Sequence, residues 1–223
     1  MTARTTSEQR HHGNRHGRSE EARIAVLEAA DNLLAERGFA GVTIEGIAAR
    51  AGVAKQTIYR WWDSKTAILF DALTQDAEEF FTSADTGDLG SDLRVRLREV
   101  ATFLTTTDAG AVARALAGQA QHDPAVAARF AAEFTARQRA LDRALLVRAR
   151  ARGDLAPGTD IDLAIDQLAG PVYYRVLITG EPVPAAFTDA IVDAFLAAGG
   201  PAARPASRAA AGNRPRQPAV RRR

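Results

Sequence analysis

Along this chain apolar residues return every three or four positions, the spacing of one face of an α-helix, and the alternation of a half-buried strand is missing. Ala, Leu, Arg and Glu, all good helix formers, fill the stretches between turn signals. The first stretch predicts a helix from Glu20 to Arg37. Ser19 is placed to cap it, Glu20 and Glu21 favour its positive end, Ile24, Leu27, Ala30 and Leu34 form one apolar stripe, and Gly38 stops it. Thr43 predicts the cap of a short second helix, Ile44 to Arg50, ended by Ala51-Gly52. A third runs from about Ala54 to Trp61, and Ser64 caps a fourth from Lys65 to about Ser83. Past the turn-rich TGDLGSD the period resumes over Asp92–Thr106 and Ala111–Gln121. A long helix follows to about Arg152, with Asp123 as its cap and Pro124 at its first position. Ile161–Thr179 reads as helical but interrupted at Gly170-Pro171, because proline lacks the amide proton and clashes one turn back. A last helix covers Ala185–Ala198. The pattern is all-α, about nine helices in total.

Composition fits a packed chain: 223 residues, 46% hydrophobic and 25% charged. The absence of cysteine excludes disulfides, thiolate metal sites and cysteine nucleophiles. No secretory h-region and no apolar run of about 18 residues is present, so the chain reads as cytoplasmic. The net charge of +2 hides a partition. Residues 1–18 carry four Arg against one Glu, and residues 200–223 carry seven Arg and no acid. Removing both from the totals of 29 basic and 27 acidic leaves 18 against 26 for residues 19–199, a net −8. Within that acidic body Arg50, Lys55, Arg60 and Lys65 stand against Asp63 alone, a basic island suited to a polyanion.

The island coincides with the two short helices and their glycine-bearing turn, a helix-turn-helix. Gly52 fits a turn position of positive φ. Ile47, Ala48, Val53 and Ile58 form the apolar wedge against the first helix, which leaves Lys55, Gln56, Thr57, Tyr59, Arg60 and Trp61 facing outward. Lys and Arg suit backbone oxygens or guanine, and Gln can read adenine. The stretch AADNLLAERGFAGVTIEGIAARAGVAKQTIYRWWDSKTAIL resembles, over about residues 19–70, the DNA-binding domain of TetR-type transcriptional regulators. The resemblance rests on Gly38-Phe39, Thr43, Ile47-Ala48, Ala51-Gly52-Val53, Thr57-Ile58-Tyr59 and Ser64-Lys65 together. It implies Thr57 and Tyr59 in the major groove, Tyr59 and Trp61 against phosphates, Lys65 and Thr43 holding the backbone, and Lys55 and Gln56 at base edges. Arg60 is either a phosphate contact or a partner for an acidic neighbour. Trp61-Trp62 replaces the family's commoner His/Tyr-Phe pair, with Trp62 expected to plug the core between helices one and four.

The remainder carries no Walker A, GxGxxG, HExxH or GxSxG motif and no paired carboxylates for acid–base work, so no enzyme, cofactor or metal site is expected. His11, His12 and His16 lie in the polar arm. The i, i+4 pair His12 and His16 would suit a metal on a helix but reads as solvated imidazoles, and His122 reads as a surface residue. Aromatics amid alanine between residues 70 and 199 can fill a core or leave a cavity. The resemblance implies a C-terminal domain that binds a small effector and dimerises through its last two helices. The division expected is a disordered basic arm (1–18), a helix-turn-helix domain (19–65), an effector-binding and dimerisation domain (66–199) and a disordered Arg-rich tail (200–223). Phe103, Phe134, Tyr173, Tyr174 and Arg175 are the candidate effector contacts. The function implied is a homodimeric repressor released from a palindromic operator by a small molecule, the arm adding contacts through Arg4, Arg10, Arg15 and Arg18. The alternative is a sequence-indifferent nucleic-acid binder that relies on the Arg tail.

Overall fold

The structure, a computed structural model, describes residues 14–82 and 85–199. The helices are α1 (Asn14–Gly41), α2 (Ile44–Ala51), α3 (Lys55–Tyr59), α4 (Lys65–Phe80), α5 (Leu89–Thr106), α6 (Asp108–Ala120), α7 (Pro124–Phe130), α8 (Ala136–Arg152), α9 (Ile161–Tyr174) and α10 (Ala185–Gly199). A π-helical turn, Ala131–Thr135, joins α7 to α8 without a break, and a second, Arg175–Thr179, extends α9. Counting α7 and α8 as one rod gives nine among the described residues, and no strand.

Several ends fall where side-chain chemistry put them. Thr43 Oγ accepts from the Gly46 amide, Ser64 Oγ from Ala67, and Asp123 from Ala125 and Val126, each meeting an orphan donor of a first turn. Other ends differ from expectation. α1 starts at Asn14, so Ser19 lies inside the helix instead of capping it, and residues 14–18 are helical where a disordered arm was expected. Once the downstream turns exist, each added residue gains a hydrogen bond, and the helix carries through Gly17. At Gly38 the backbone turns to φ 65°, ψ 174°, which kinks α1 before its last turn. α5 and α6 each begin three residues earlier than the apolar period suggests, because Asp88 and Thr107 provide the caps. Pro171 does not interrupt α9. The preceding Gly170 has no Cβ for the proline ring to strike, which relieves part of the steric bar on a helical residue before proline. The remaining arm (1–13), with His11 and His12, and the tail (200–223) lie outside the described residues.

The helices pack around two apolar clusters. One runs without interruption from α1 through Ile47, Ile58 and Trp62 to Leu69, Phe103, Val112, Leu116 and Phe134, so the core does not part at residue 65. The other joins α5, α8, α9 and α10 around Leu93, Leu146, Ile165 and Val192. Arg96 of α5, 4% exposed, lies beside both: Nε donates to Asp142 at 2.6 Å, Nη2 to the Gln138 side chain at 2.8 Å, and its carbon centre sits 4.7 Å from the Phe81 ring. A buried guanidinium needs such partners, since leaving it without them would cost several kcal/mol, roughly 3–5.

Asp31 of α1 lies near Asp76 of α4 and Asp108 of α6 where these helices meet. Its Oδ1 is buried without a hydrogen-bond partner. Burial, then repulsion from Asp76, Asp108 and Glu28, pushes its carboxyl up to about 7. A carboxyl raised in the fold adds stability below its unfolded value of 3.8, loses it as pH climbs toward 7, and leaves a cost above that. Asp31→Asn should therefore raise unfolding stability in urea by about 2 kcal/mol at pH 8 and hardly at all at pH 4. An equal gain at both pH values would contradict this origin.

Candidate nucleic-acid interface and cavity

The recognition segment is built on little local propensity. α3 has five residues, and its cap position, Ala54, offers no side-chain acceptor. Its pose comes from neighbours. The Gly52 amide returns to the Ala48 carbonyl from a left-handed turn (φ 69°, ψ 26°), and Val53 donates to the same oxygen at 3.1 Å. Ile58 is fully buried in the core that also holds Trp62. Trp62 occupies the expected plug, and its indole nitrogen donates to Asp71 of α4 at 2.8 Å. With Ile58 inward, Lys55, Gln56, Tyr59 and Arg60 are exposed and Thr57 and Trp61 half-buried. The Tyr59 side is well out in solvent at 55%. Arg60 lies over the Trp61 ring at 5.6 Å, and Trp61 meets Trp62 edge-on at 5.4 Å. The exposed Thr43 uses one oxygen lone pair on its cap, which leaves its hydroxyl proton available.

The basic island is less bare than its sequence suggests. Arg50 makes a two-pronged bond to Glu36 of α1 at 2.7 and 2.6 Å, and Lys55 bonds Glu45 of α2 at 3.0 Å. Each pairing lowers the pKa of its glutamate through the hydrogen bond. Both pairs are exposed, so solvent screens them and an arriving polyanion can compete for the cation. Lys65 sits at the first turn of α4 with its ammonium on the carbonyls of Phe39 (2.7 Å) and Val42 (2.9 Å), 4.3 Å from the Phe39 ring. Burial lowers its pKa. Two of its three donors thus tie the α1–α2 connection to α4, a role that a linear reading of charge did not indicate.

Behind the helix-turn-helix lies a cavity of about 320 Å³ between α5, α6, α7, the first π turn, α8 and α9. Of the five residues expected at an effector site, Phe134 and Tyr173 line it. Phe103 does not; it backs Phe134 in a near-parallel stack at 6.1 Å and faces a shallower hollow beside Asp108. Tyr174 is 59% exposed on the far side of α9. Arg175 turns away to the Phe187 ring at 3.6 Å, the Pro182 carbonyl and Glu181. Because α9 continues through Pro171, residues 174 and 175 keep their helical bearing and stay off the cavity wall. The missed lining residues include Arg114, Phe130, Gln138, Arg139, Asp142 and Asp166. Only their common face on packed helices brings them together, and spacing within one helix gives no sign of it. Burial, with Asp142 adding to it and Arg96 opposing, pushes the Tyr173 hydroxyl up to about 12, so it stays a neutral donor. Among the described residues no cluster of three or more His, Cys, Asp or Glu could hold a metal ion, and no helix is long and apolar enough to cross a membrane.

Family models match twice: bacterial regulatory proteins of the tetR family over residues 26–72, and the tetracyclin repressor-like C-terminal domain over residues 83–195. The chain is 36% identical over 179 residues to the HTH-type transcriptional regulator YdeS of Bacillus subtilis (strain 168), covering 80% of this chain and 90% of that one. It is 26% identical over 174 residues to the HTH-type transcriptional regulator AqdR of Rhodococcus erythropolis, across 78% and 83% of the two. The crystal structure of the TetR family transcription regulator SCO0332 superposes with a TM-score of 0.67 at 38% identity, over 79% of this chain and 97% of that one. This chain belongs to the TetR family of helix-turn-helix transcriptional regulators.

Proposed function

We propose that the protein is a homodimeric, cytoplasmic repressor that binds a palindromic operator and is released by a small molecule, and that it is not an enzyme. The observation that carries the reading is the outward face of α3. Ile58 anchors the helix while Lys55, Gln56, Tyr59 and Arg60 stand in solvent, a set of donors and an amphipathic ring matched to a groove edged by phosphates. Gln56 and Lys55 take base edges, Thr57 and Tyr59 enter the groove, and Thr43, Arg60 and Trp61 hold backbone. Lys55 exchanges Glu45 for DNA on docking. Lys65 acts through the α1–α2 connection that it holds, with one donor left for a phosphate.

Dimerisation is supported by an apolar face shared by the last two helices. Leu163, Tyr174 and Ile178 are 55%, 59% and 72% exposed and fall on one side of α9 and its π turn. On α10 the exposed Ala186, Ala190, Ala194 and Ala197 repeat at helical spacing. Small residues beside large ones let two helix pairs approach closely in a four-helix packing. Two recognition helices about 34 Å apart would then reach successive major grooves. The effector would occupy the cavity, whose two flanking rods each widen into a π turn at its wall, through Phe134 and Thr135 on one and Leu177 on the other.

Gel retardation on an inverted repeat from the promoter beside the gene tests the interface. Tyr59→Ala should weaken binding at least about tenfold, the cost of one good contact, with an unchanged melting temperature. Random duplex should compete poorly. Normal binding by Tyr59→Ala and Gln56→Ala alike, or random duplex competing equally, would remove this assignment. Lys65→Ala is a poorer probe because it strands two carbonyls and lowers stability as well. For the dimer, Leu163→Glu with Ile178→Glu should shift the sedimentation mass to that of one chain and abolish retardation. An unshifted dimer mass would place the contact elsewhere.

A further inference from the structure

The chemistry of the cavity wall narrows what can occupy it, granted the reading above that this cavity is the effector site. Its charged groups, Arg114 and Arg139 against Asp142 and Asp166, are equal in number but unevenly paired. Arg139 is answered by Asp166 at 2.5 Å and Asp162 at 3.2 Å. Asp142 is answered by the buried Arg96. Arg114 of α6 bonds the Leu104 carbonyl, yet it has no carboxylate partner among the described residues. A guanidinium carries five N–H donors in a planar fork, and one carbonyl leaves most of that fork unspent. The remainder of the wall is apolar and aromatic. Phe130 and Phe134 meet at 5.2 Å, Tyr173 adds a third ring, and Ala113, Ala117 and Ala169 leave flat space between them. At about 320 Å³ the cavity falls at the small end of ligand pockets, a size that favours compact ligands over long acyl chains and large multi-ring compounds.

We propose that the cavity binds a small aromatic carboxylate of one or two rings, its carboxylate forked on Arg114 and its ring among Phe130, Phe134 and Tyr173. A neutral ligand would leave the Arg114 cation uncompensated beside apolar surface, and a cationic one would add repulsion to it. An anion supplies the missing partner with two parallel N–H···O bonds. The neutral Tyr173 hydroxyl and the Gln138 amide are further donors on the same wall.

The test uses isothermal titration of the full-length protein with three matched probes: 2-naphthoate, 2-naphthamide and 2-naphthylmethylamine. The acid should bind one per chain, at least tenfold tighter than the amide, and the amine weakest. Arg114→Gln should erase the acid's advantage while leaving amide affinity unchanged, and Arg114→Lys should restore part of it. The wild-type acid-to-amide ratio stands even if the variants fold poorly. If the amide or amine binds as well as the acid, the carboxylate assignment is overturned while the cavity remains a ligand site. If none of the three binds, this proposal and the effector reading both fall.

Discussion

The burial of Trp62 and its bond to Asp71 is the constraint on which the exposed face of α3 rests. A five-residue helix is far below the length at which helix formation sustains itself in water. α3 therefore has no conformation of its own to present, and its direction is inherited from the core. Ile58 supplies one anchor, and Trp62, four residues later, supplies the second at the point where the chain turns toward α4. An indole in a core must find an acceptor for its N–H, and Asp71, two turns into α4, is that acceptor. The polar bond thus fixes the register between the recognition segment and the helix that leads into the body of the molecule. The outward aim of Tyr59 follows from it as much as from α3.

How much of this was legible in the sequence depends on the range of the interaction. Short-range chemistry read well: Thr43, Ser64 and Asp123 cap where their side chains can reach an amide two or three residues on, and Gly52 lies in the left-handed turn that its position demanded. Trp62 could be assigned inward because the apolar wedge around it was already defined. Competition between neighbours read poorly. Nothing local says that α1 runs back past Ser19, since that end is decided by propagation from the packed part of the helix. Pro171 carried a general rule against helix that Gly170 locally relieves, and the unbroken α9 leaves Tyr174 exposed and Arg175 on the Phe187 ring. Pairings between helices were invisible. Lys55 with Glu45, Arg50 with Glu36 and Lys65 on two carbonyls each join residues ten or more apart, and together they change the basic island from four free cations to two paired, one structural and one stacked on Trp61.

The cavity shows the same limit. Each residue of its wall obeys the helical period of its own rod, and no single rod encodes the void. It exists because large rings at Phe130, Phe134 and Tyr173 face alanines on the opposing helices, with the Arg96 ion pair propping α5 against α8 next to it. Both rods that bound it depart from regular α geometry there, giving up the ideal backbone ladder over one turn each. The resulting wall is less regular than the rest of the bundle.

These two regions share a junction. Asp71, which holds Trp62 through one carboxylate oxygen, accepts a long bond from Arg129 of α7 at 3.5 Å through the other. Arg129 also bonds Glu133 inside the π turn at 2.8 Å and lies 4.5 Å from the Phe70 ring of α4. Phe130, the next residue, is cavity wall. A displacement of α7 that follows occupancy of the cavity would therefore act first on the weaker of the two Asp71 bonds, since the indole bond is short and buried at one end while the guanidinium bond is long and half-exposed. Phe70, Leu69, Trp62 and Ile58 belong to one buried cluster, and close-packed interiors pass strain on, so a shift of α4 would bear on α3. Asp71 is thus the residue at which the cavity-side helix α7 and the core anchor of α3 meet on one side chain.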